Sequence, residues 1–150
     1  MRIEESNRDE WMTPRPVFEV LCHAAGFEPI LDVATSARNN LERKHYFTAA
    51  DNALEKDWSS PWWCNPPYSD VEAFVRKAIV SSQPGIMLVP ANRTDQRWFH
   101  LALPHASKGW SRGRVRFEPP EGITASSPSF GNLVLIFGRQ LSDFTWEVPR

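Results

Sequence analysis

The hydrophobic positions of this chain change period several times, and each change marks an element. Val17, Phe18, Leu21 and Ala25 recur at helical spacing. Thr13 before them suits a helix N-cap, Pro14 the first helical position, and Gly26 the left-handed residue that ends a helix, so the spacing predicts a first helix of about three turns. Phe27 to Val33 reads as a short strand closing on Leu31-Asp32-Val33-Ala34, and Ala34 to Lys44 as a polar loop or short helix capped by Thr35 or Ser36. His45 to Thr48 reads as a second short strand, and Pro61-Trp62-Trp63-Cys64 as an apolar strand that stops at Asn65-Pro66-Pro67-Tyr68. Ser69 and Glu72 have the spacing of a capping box, and Val71, Phe74, Val75, Ala78 and Ile79 form one stripe, which predicts a helix from Ser69 to Ser82. Gly85 to Val89 is a continuous apolar run, the pattern of a central strand buried on both faces, ended by Pro90-Ala91-Asn92. Thr94 is placed to cap a helix carrying Trp98, Phe99, Leu101 and Ala102. Ala106 to Trp110, Arg114 to Glu118 and Phe130 to Phe137 read as strands, with a Pro/Gly/Ser-rich connection from Pro119 to Ser129. Helix and strand alternate up to about residue 103 and strands follow. That order predicts an α/β domain with a mainly parallel sheet and an antiparallel C-terminal end.

At 150 residues the chain is long enough for one sizeable core, and residues 11–150 are expected to form a single domain behind a loose polar arm, residues 1–10. Seven Trp and nine Phe are many for this length; Trp58, Trp62 and Trp63 read as core. A formal net charge of -1 carries no global nucleic-acid signature. Charge is clustered locally instead: Arg93, Arg97, Lys108, Arg112, Arg114 and Arg116 are opposed in that window by Asp95 alone. Such a run is either a solvated face or the place where a polyanion is held, with Arg93 and Asp95 alternatively forming a surface pair and Gly109 to Arg116 a basic hairpin. Cys22 and Cys64 lack disulfide or zinc spacing, and the four histidines form no close helical pair, so no metal is expected. No leader and no apolar stretch of membrane-spanning length stand in the sequence, which points to a soluble, cytoplasmic protein with no membrane partner.

The chemistry-bearing stretch is the corner at Asn65 to Tyr68. Each proline lacks an N–H and fixes its own φ, and the residue before a proline is pushed to an extended conformation, so Asn65 and Pro66 are both held out of a helix. A stiff, polar-tipped corner at the end of a buried strand is where an open α/β sheet places a ligand or a reacting group.

Trp11-x-Thr13-Pro14, Leu31-Asp32-Val33-Ala34, Tyr46-Phe47-Thr48, Asp51, Asp57-Trp58, Trp63-Cys64-Asn65-Pro66-Pro67-Tyr68-Ser69 and Thr94-Asp95-x-x-Trp98-Phe99-His100 together resemble the compact phage-type, Dam-like DNA N6-adenine methyltransferases. The resemblance implies a Rossmann-like fold and S-adenosylmethionine as cofactor. It also implies a DNA substrate and protection from restriction as the purpose; a target base has to be flipped out of the duplex to reach a pocket. At this length little chain is left for a separate target-recognition domain, and the oligomeric state stays open between a monomer and a weak dimer. Asn65, Pro66, Pro67 and Tyr68 are then the catalytic residues, while Thr13, Pro14, Asp32, Ala34, Asp51 and Asn65 border the cofactor. The basic residues Arg93, Arg97, Lys108, Arg112 and Arg114 become the nucleic-acid contacts. Adenine N6 is a poor nucleophile because its lone pair is delocalised into the ring. The side-chain oxygen of Asn65 and the main-chain carbonyl of Pro66 can each accept one N6 hydrogen and aim that lone pair at the sulfonium methyl, while Tyr68 stacks on the base. The chain departs from the wider methyltransferase pattern in one place: Ala34-Thr35-Ser36-Ala37 contains no glycine. RNA adenine and protein glutamine pose the same activation problem and are alternative substrates, and a binding module that keeps the fold without turnover is the alternative outside enzymology.

Overall fold

The structure is a computed structural model that describes residues 12–35, 45–48, 51–119, 122 and 130–150. The arm at 1–10, the Ser36-Ala37 part of the glycine-free turn and most of the 119–129 connection lie outside them. Among the described residues three α-helices, α1 (Arg15–Ala25), α2 (Val71–Val80) and α3 (Arg97–Ala102), pack on a sheet of β1 (Leu31–Thr35), β2 (His45–Thr48), β3 (Trp62–Cys64), β4 (Gly85–Pro90), β5 (Ala106–Arg112), β6 (Asn132–Phe137) and β7 (Phe144–Glu147). The strand order is β2-β1-β3-β4-β6-β5-β7. Neighbours pair in parallel except on the two sides of β6, so among the described strands β6 alone runs backwards. The antiparallel strand therefore lies inside the sheet, between β4 and β5, with the parallel pair β5–β7 outside it.

Alternation along the central strands divides the core in two. Trp62, Cys64, Met87, Val89, Leu133 and Leu135 face α2 and α3 and pack with Val71, Phe74, Val75, Trp98 and Phe99. Trp63, Ile86, Leu88, Val134 and Ile136 face α1 and pack with Val17, Phe18 and Leu21. Phe18 meets Trp63 edge-on at 5.0 Å between ring centroids. β4 is buried at every residue, as its unbroken apolar run requires. Trp58, Trp62 and Trp63 are core residues, as expected. No described helix is long and apolar enough to cross a membrane.

The element ends differ from the sequence reading where a local cap competes with tertiary partners. Helix α1 starts at Arg15 with Pro14 at the N-cap position, and the Thr13 side chain makes no cap bond. Its other end is as expected: Gly26 adopts φ 81° and returns its N–H to the Cys22 carbonyl at 2.9 Å. Strand β1 begins at Leu31 rather than Phe27, because Pro29 has no N–H to give a ladder; Ile30 and Leu31 instead donate to the Pro61 carbonyl. Ala34 and Thr35 belong to β1 and not to a following loop. The capping box at Ser69 does not form: Tyr68–Asp70 make a 3-10 turn, α2 begins at Val71, and the Glu72 carboxylate turns to arginines instead. Thr94 does not cap α3, whose N-cap is Gln96. Arg114 to Glu118 is no strand of the sheet, since both edges of β5 are taken by β6 and β7; the segment makes only a bridge from Glu118 to Met12. The same occupancy rules out the basic hairpin. β7 rests on a Phe-Thr-Trp-Glu alternation too short to mark a strand in the sequence.

Candidate active site

The carboxyl ends of β1, β3, β4 and β5 share one edge of the sheet, and the reversed β6 begins there. Cα partners fix the levels: Asp32 with Trp63, Cys64 with Met87, and Pro90 with Asn132. That edge collects Asp32 and Ala34, the corner at Asn65 to Tyr68, the turn after Pro90 with Arg93, and the end of β5 with Arg112 and Arg114. It also collects the residues leading into β6. Helix α1 returns toward the start of β1, and Met12, just before it, exchanges backbone hydrogen bonds of 2.7 and 2.8 Å with Glu118, beyond the end of β5. Thr13 and Pro14 are thereby held near the same edge.

At the corner, the strand of three fully buried residues Trp62, Trp63 and Cys64 ends, Pro66 is buried and Tyr68 emerges with 38% exposure. Pro67 takes φ -59° and its carbonyl accepts the Asp70 N–H at 2.9 Å, which pins the turn. The Asn65 Oδ1 atom is buried and has no hydrogen-bond partner. An amide oxygen removed from water and left unpaired costs about 1–3 kcal/mol, so it is open to a donor from an ordered water or a ligand. Two other side-chain oxygens share this condition among the described residues, Thr13 Oγ1 and Asn132 Oδ1. Asn132 shares a face with Val134 and Ile136, the face against α1. Asn65, two residues past Trp63 in a proline-extended chain, is set toward that face as well. Three unpaired acceptors thus belong to one edge of the sheet and to the side where α1 packs.

Asp32 is 3% exposed, and its Oδ1 accepts the Ala34 N–H at 3.2 Å. Burial, and secondarily the Asp32 charge, push the Cys64 thiol well above its ordinary range, so Cys64 is an inert core group. Asp51 is exposed and held as a local turn acid: its Oδ2 accepts from Thr48 N at 2.8 Å and Thr48 Oγ1 at 3.1 Å. These bonds lower its pKa, the backbone bond most. No group of three or more His, Cys, Asp or Glu that could hold a metal occurs among the described residues.

The basic residues divide. Arg97 is spent on Glu72, donating through Nε at 2.8 Å and Nη2 at 2.7 Å, and that hydrogen bond raises its pKa while holding Glu72 at about 2. Lys108 sits mid-strand on β5, paired with Asp143 at 3.2 Å, and Arg112 pairs with Glu147 at 3.5 Å. Arg93 and Arg114 are exposed at the edge itself, Arg114 with an interaction of its own, and Arg93 and Asp95 form no ion pair among the described residues.

Three residues at this edge were not singled out as site residues from the sequence. Asn132 stands flush against the apolar run Leu133 to Phe137, the one signal that could have drawn attention to it. Phe130 places its ring 6.2 Å from that of Tyr68, tilted by 57°, through a tertiary contact with no local signature. Arg116 is exposed on the segment past Gly113, within a cluster that was noted but not assigned.

The chain is thus a mixed α/β protein with a mostly parallel sheet, whose Asn-Pro-Pro-Tyr corner stands at the carboxyl edge, where open α/β sheets generally place ligands. The family model described as DNA N-6-adenine-methyltransferase (Dam) matches residues 1–147, and the chain belongs to that family. A DNA N-6-adenine-methyltransferase of Escherichia phage T1 is 36% identical over 106 residues, covering 67% of this chain and 43% of that protein. One of Haemophilus phage HP1 (strain HP1c1) is 29% identical over 110 residues, covering 70% of this chain and 62% of that protein. The matches therefore span less than two thirds of either relative's length.

Proposed function

We propose that this chain methylates the N6 amino group of adenine in DNA, using S-adenosylmethionine, on a Rossmann-like methyltransferase fold. The observation that carries the reading is Asn65 Oδ1, an unpaired buried acceptor at a proline-fixed corner beside the carbonyl of Pro66. Family membership supplies the reaction class.

The residues fit the cofactor. Its methionine end carries a cationic amine, and the buried carboxylate of Asp32 on β1 suits such a donor, while the unpaired Thr13 oxygen offers a further acceptor. Pro14 and Ala34 border this half of the edge. Asp51 offers a second, exposed acceptor on the same side of the corner. When bound, S-adenosylmethionine supplies a methyl group activated by its sulfonium charge.

The chain's own groups do the rest. Asn65 Oδ1 and the Pro66 carbonyl each accept one N6 hydrogen, which turns the nitrogen lone pair out of the ring plane and stabilises the positive charge that develops on nitrogen. No proton need be removed before transfer, because the amino group is too weak an acid to deprotonate usefully; the excess proton leaves after the bond to carbon has formed. Pro67 keeps the corner from relaxing. Tyr68 and Phe130 present two rings at the mouth, placed to hold a base that has left the duplex, which offsets part of the few kcal/mol that unstacking costs.

The test is transfer of labelled methyl from S-adenosylmethionine to unmethylated duplex DNA, with nuclease digestion of the product. Label on N6 of adenine is expected. Asn65→Ala should retain cofactor binding and lose roughly 10²–10³ in kcat, the loss typical of removing one oxyanion-type hydrogen-bond partner. Label on RNA or protein glutamine alone would reassign the substrate, and full turnover in Asn65→Ala would refute its role.

A further inference from the structure

The segment between β5 and the chain's return to Met12 has an alternation that the reaction does not use. After Arg112, Gly113 turns the chain with φ 89°. Val115 is then 1% exposed and packs in the α1-side core, Phe117 is partly buried against the same cluster, and Arg114, Arg116 and Glu118 are exposed. An extended chain sends alternate side chains to opposite sides, so the two buried residues anchor the segment and turn both arginines outward together. Their stems are spaced about 6.7 Å apart, two residues of an extended strand. Both ends of the segment are tied: Val148 N donates to the Arg112 carbonyl at 3.1 Å, and Glu118 and Met12 exchange two backbone bonds.

Its position matters as much as its stiffness. A Cβ on Gly131 would lie 3.8 Å from the Gly113 carbonyl and 3.3 Å from Ser111 Oγ, so the turn before Arg114 runs against the residues leading into β6. Phe130 adjoins Gly131, and its ring faces Tyr68. Contact therefore runs unbroken from Tyr68 through Phe130 and Gly131 to Gly113 and Arg114. Across the corner, on the β1 and β2 side, stand Asp32 and Asp51, the latter within the field of Lys56. On the far side of the tyrosine Arg112 is paired with Glu147, and Glu118 is exposed on the same side of the segment as Arg114 and Arg116.

We infer that Arg114 and Arg116 form a rigid rail that grips the sugar-phosphate backbone of duplex DNA beside the base presented to Tyr68. The inference rests on the proposed DNA substrate. Arg116 is the new member. Its guanidinium is exposed, and the anchors Val115 and Phe117 hold it without a loop to order on binding, so little conformational entropy opposes the contact. Phosphate contacts of this kind position the duplex without reading its sequence.

The experiment measures affinity for a mixed-sequence duplex oligonucleotide across a range of NaCl concentrations, beside the methyl-transfer assay on the same preparations. For Arg116→Ala the plot of log affinity against log salt should lose about 0.9 in slope, and the Arg114→Ala/Arg116→Ala double variant about twice that, with Kd at 50 mM salt rising roughly tenfold per contact. Arg116→Lys, which keeps the charge, should retain the slope. Arg139→Ala is the control, because that cation lies 5.3 Å over the Phe27 ring beyond the far end of β6, and it should leave the slope unchanged. An unaltered slope in the double variant, with methyl transfer to DNA intact in the wild type, overturns the rail and leaves the enzyme reading standing. Wild type that neither methylates nor binds DNA overturns both.

Discussion

Gly85 opens β4 directly beside Trp62, with which it is paired, and a single methyl group there tests how the corner is held. A Cβ at Gly85 would lie 1.9 Å from Trp62 Cε2, 2.1 Å from Cδ2 and 2.3 Å from Cζ2, so the indole has to move. It has nowhere to go. Trp62 is fully buried, donates its Nε1–H to the Gln83 carbonyl at 3.2 Å, and lies 4.9 Å from the Trp58 ring and 5.7 Å from the Phe137 ring. Forced overpacking costs about 1–3 kcal/mol, and loss of the indole hydrogen bond adds about 1 kcal/mol. For a chain of this size, about 3 kcal/mol lowers the unfolding temperature by roughly 6–12 °C. Gly85→Ala should show that loss in thermal unfolding followed by tryptophan fluorescence. Methyl transfer should fall further than stability alone explains, because Asn65 follows directly on the end of β3, three residues from Trp62, and a displacement of about 1 Å can cost about 10² in rate. Trp62→Leu in the same background vacates the ring's volume, so the double variant should be more stable than the sum of the single losses. An unchanged unfolding temperature for Gly85→Ala, or strict additivity in the cycle, would refute the argument that this contact fixes β3.

Two more expectations concern charge and polarity. Glu72 is held at about 2, well below its ordinary 4.5, chiefly by the Arg97 hydrogen bond. A carboxylate depressed in the folded state stabilises fully above its unfolded pKa and ceases to do so as the pH falls through the folded one, so the contribution disappears between about pH 4.5 and 2. Glu72→Gln should be less stable at neutral pH and show a shallower acid limb; parallel limbs in the two proteins would exclude the linkage. Asn132→Leu removes an unpaired buried acceptor together with the 3.4 Å bond from Asn132 Nδ2 to the Val89 carbonyl, two opposed effects of about 1 kcal/mol each, so the ligand-free protein should melt within a few degrees of wild type while methyl transfer falls. Normal activity in the variant would make Asn132 a structural residue.

The sequence by itself determined the α/β alternation, the central position of β4 and the stiff corner at the end of β3. These rest on short-range physics: an unbroken apolar run has to be buried on both faces, prolines fix their own backbone, and the Val17, Phe18, Leu21 and Ala25 stripe can only be one face of a helix. The Gly26 terminus was legible for the same reason. Caps were not, because a cap is a competition. Glu72 was free to close a box with Ser69 until α3 brought Arg97 within 2.7 Å of it, and a bidentate charged pair outbids a backbone bond. The same pairing takes Arg97 out of a cluster that the sequence could count but not sort. Only the tertiary structure set β6 in reverse between β4 and β5, which consumes both edges of β5 and leaves Arg114 to Glu118 as an anchored extended segment instead of a strand. Only it brought Phe130 to Tyr68 and put the unpaired oxygens of Thr13, Asn65 and Asn132 on one edge of the sheet. Those residues stand far apart in the chain, and sheet order, which local sequence does not encode, decides which of them meet.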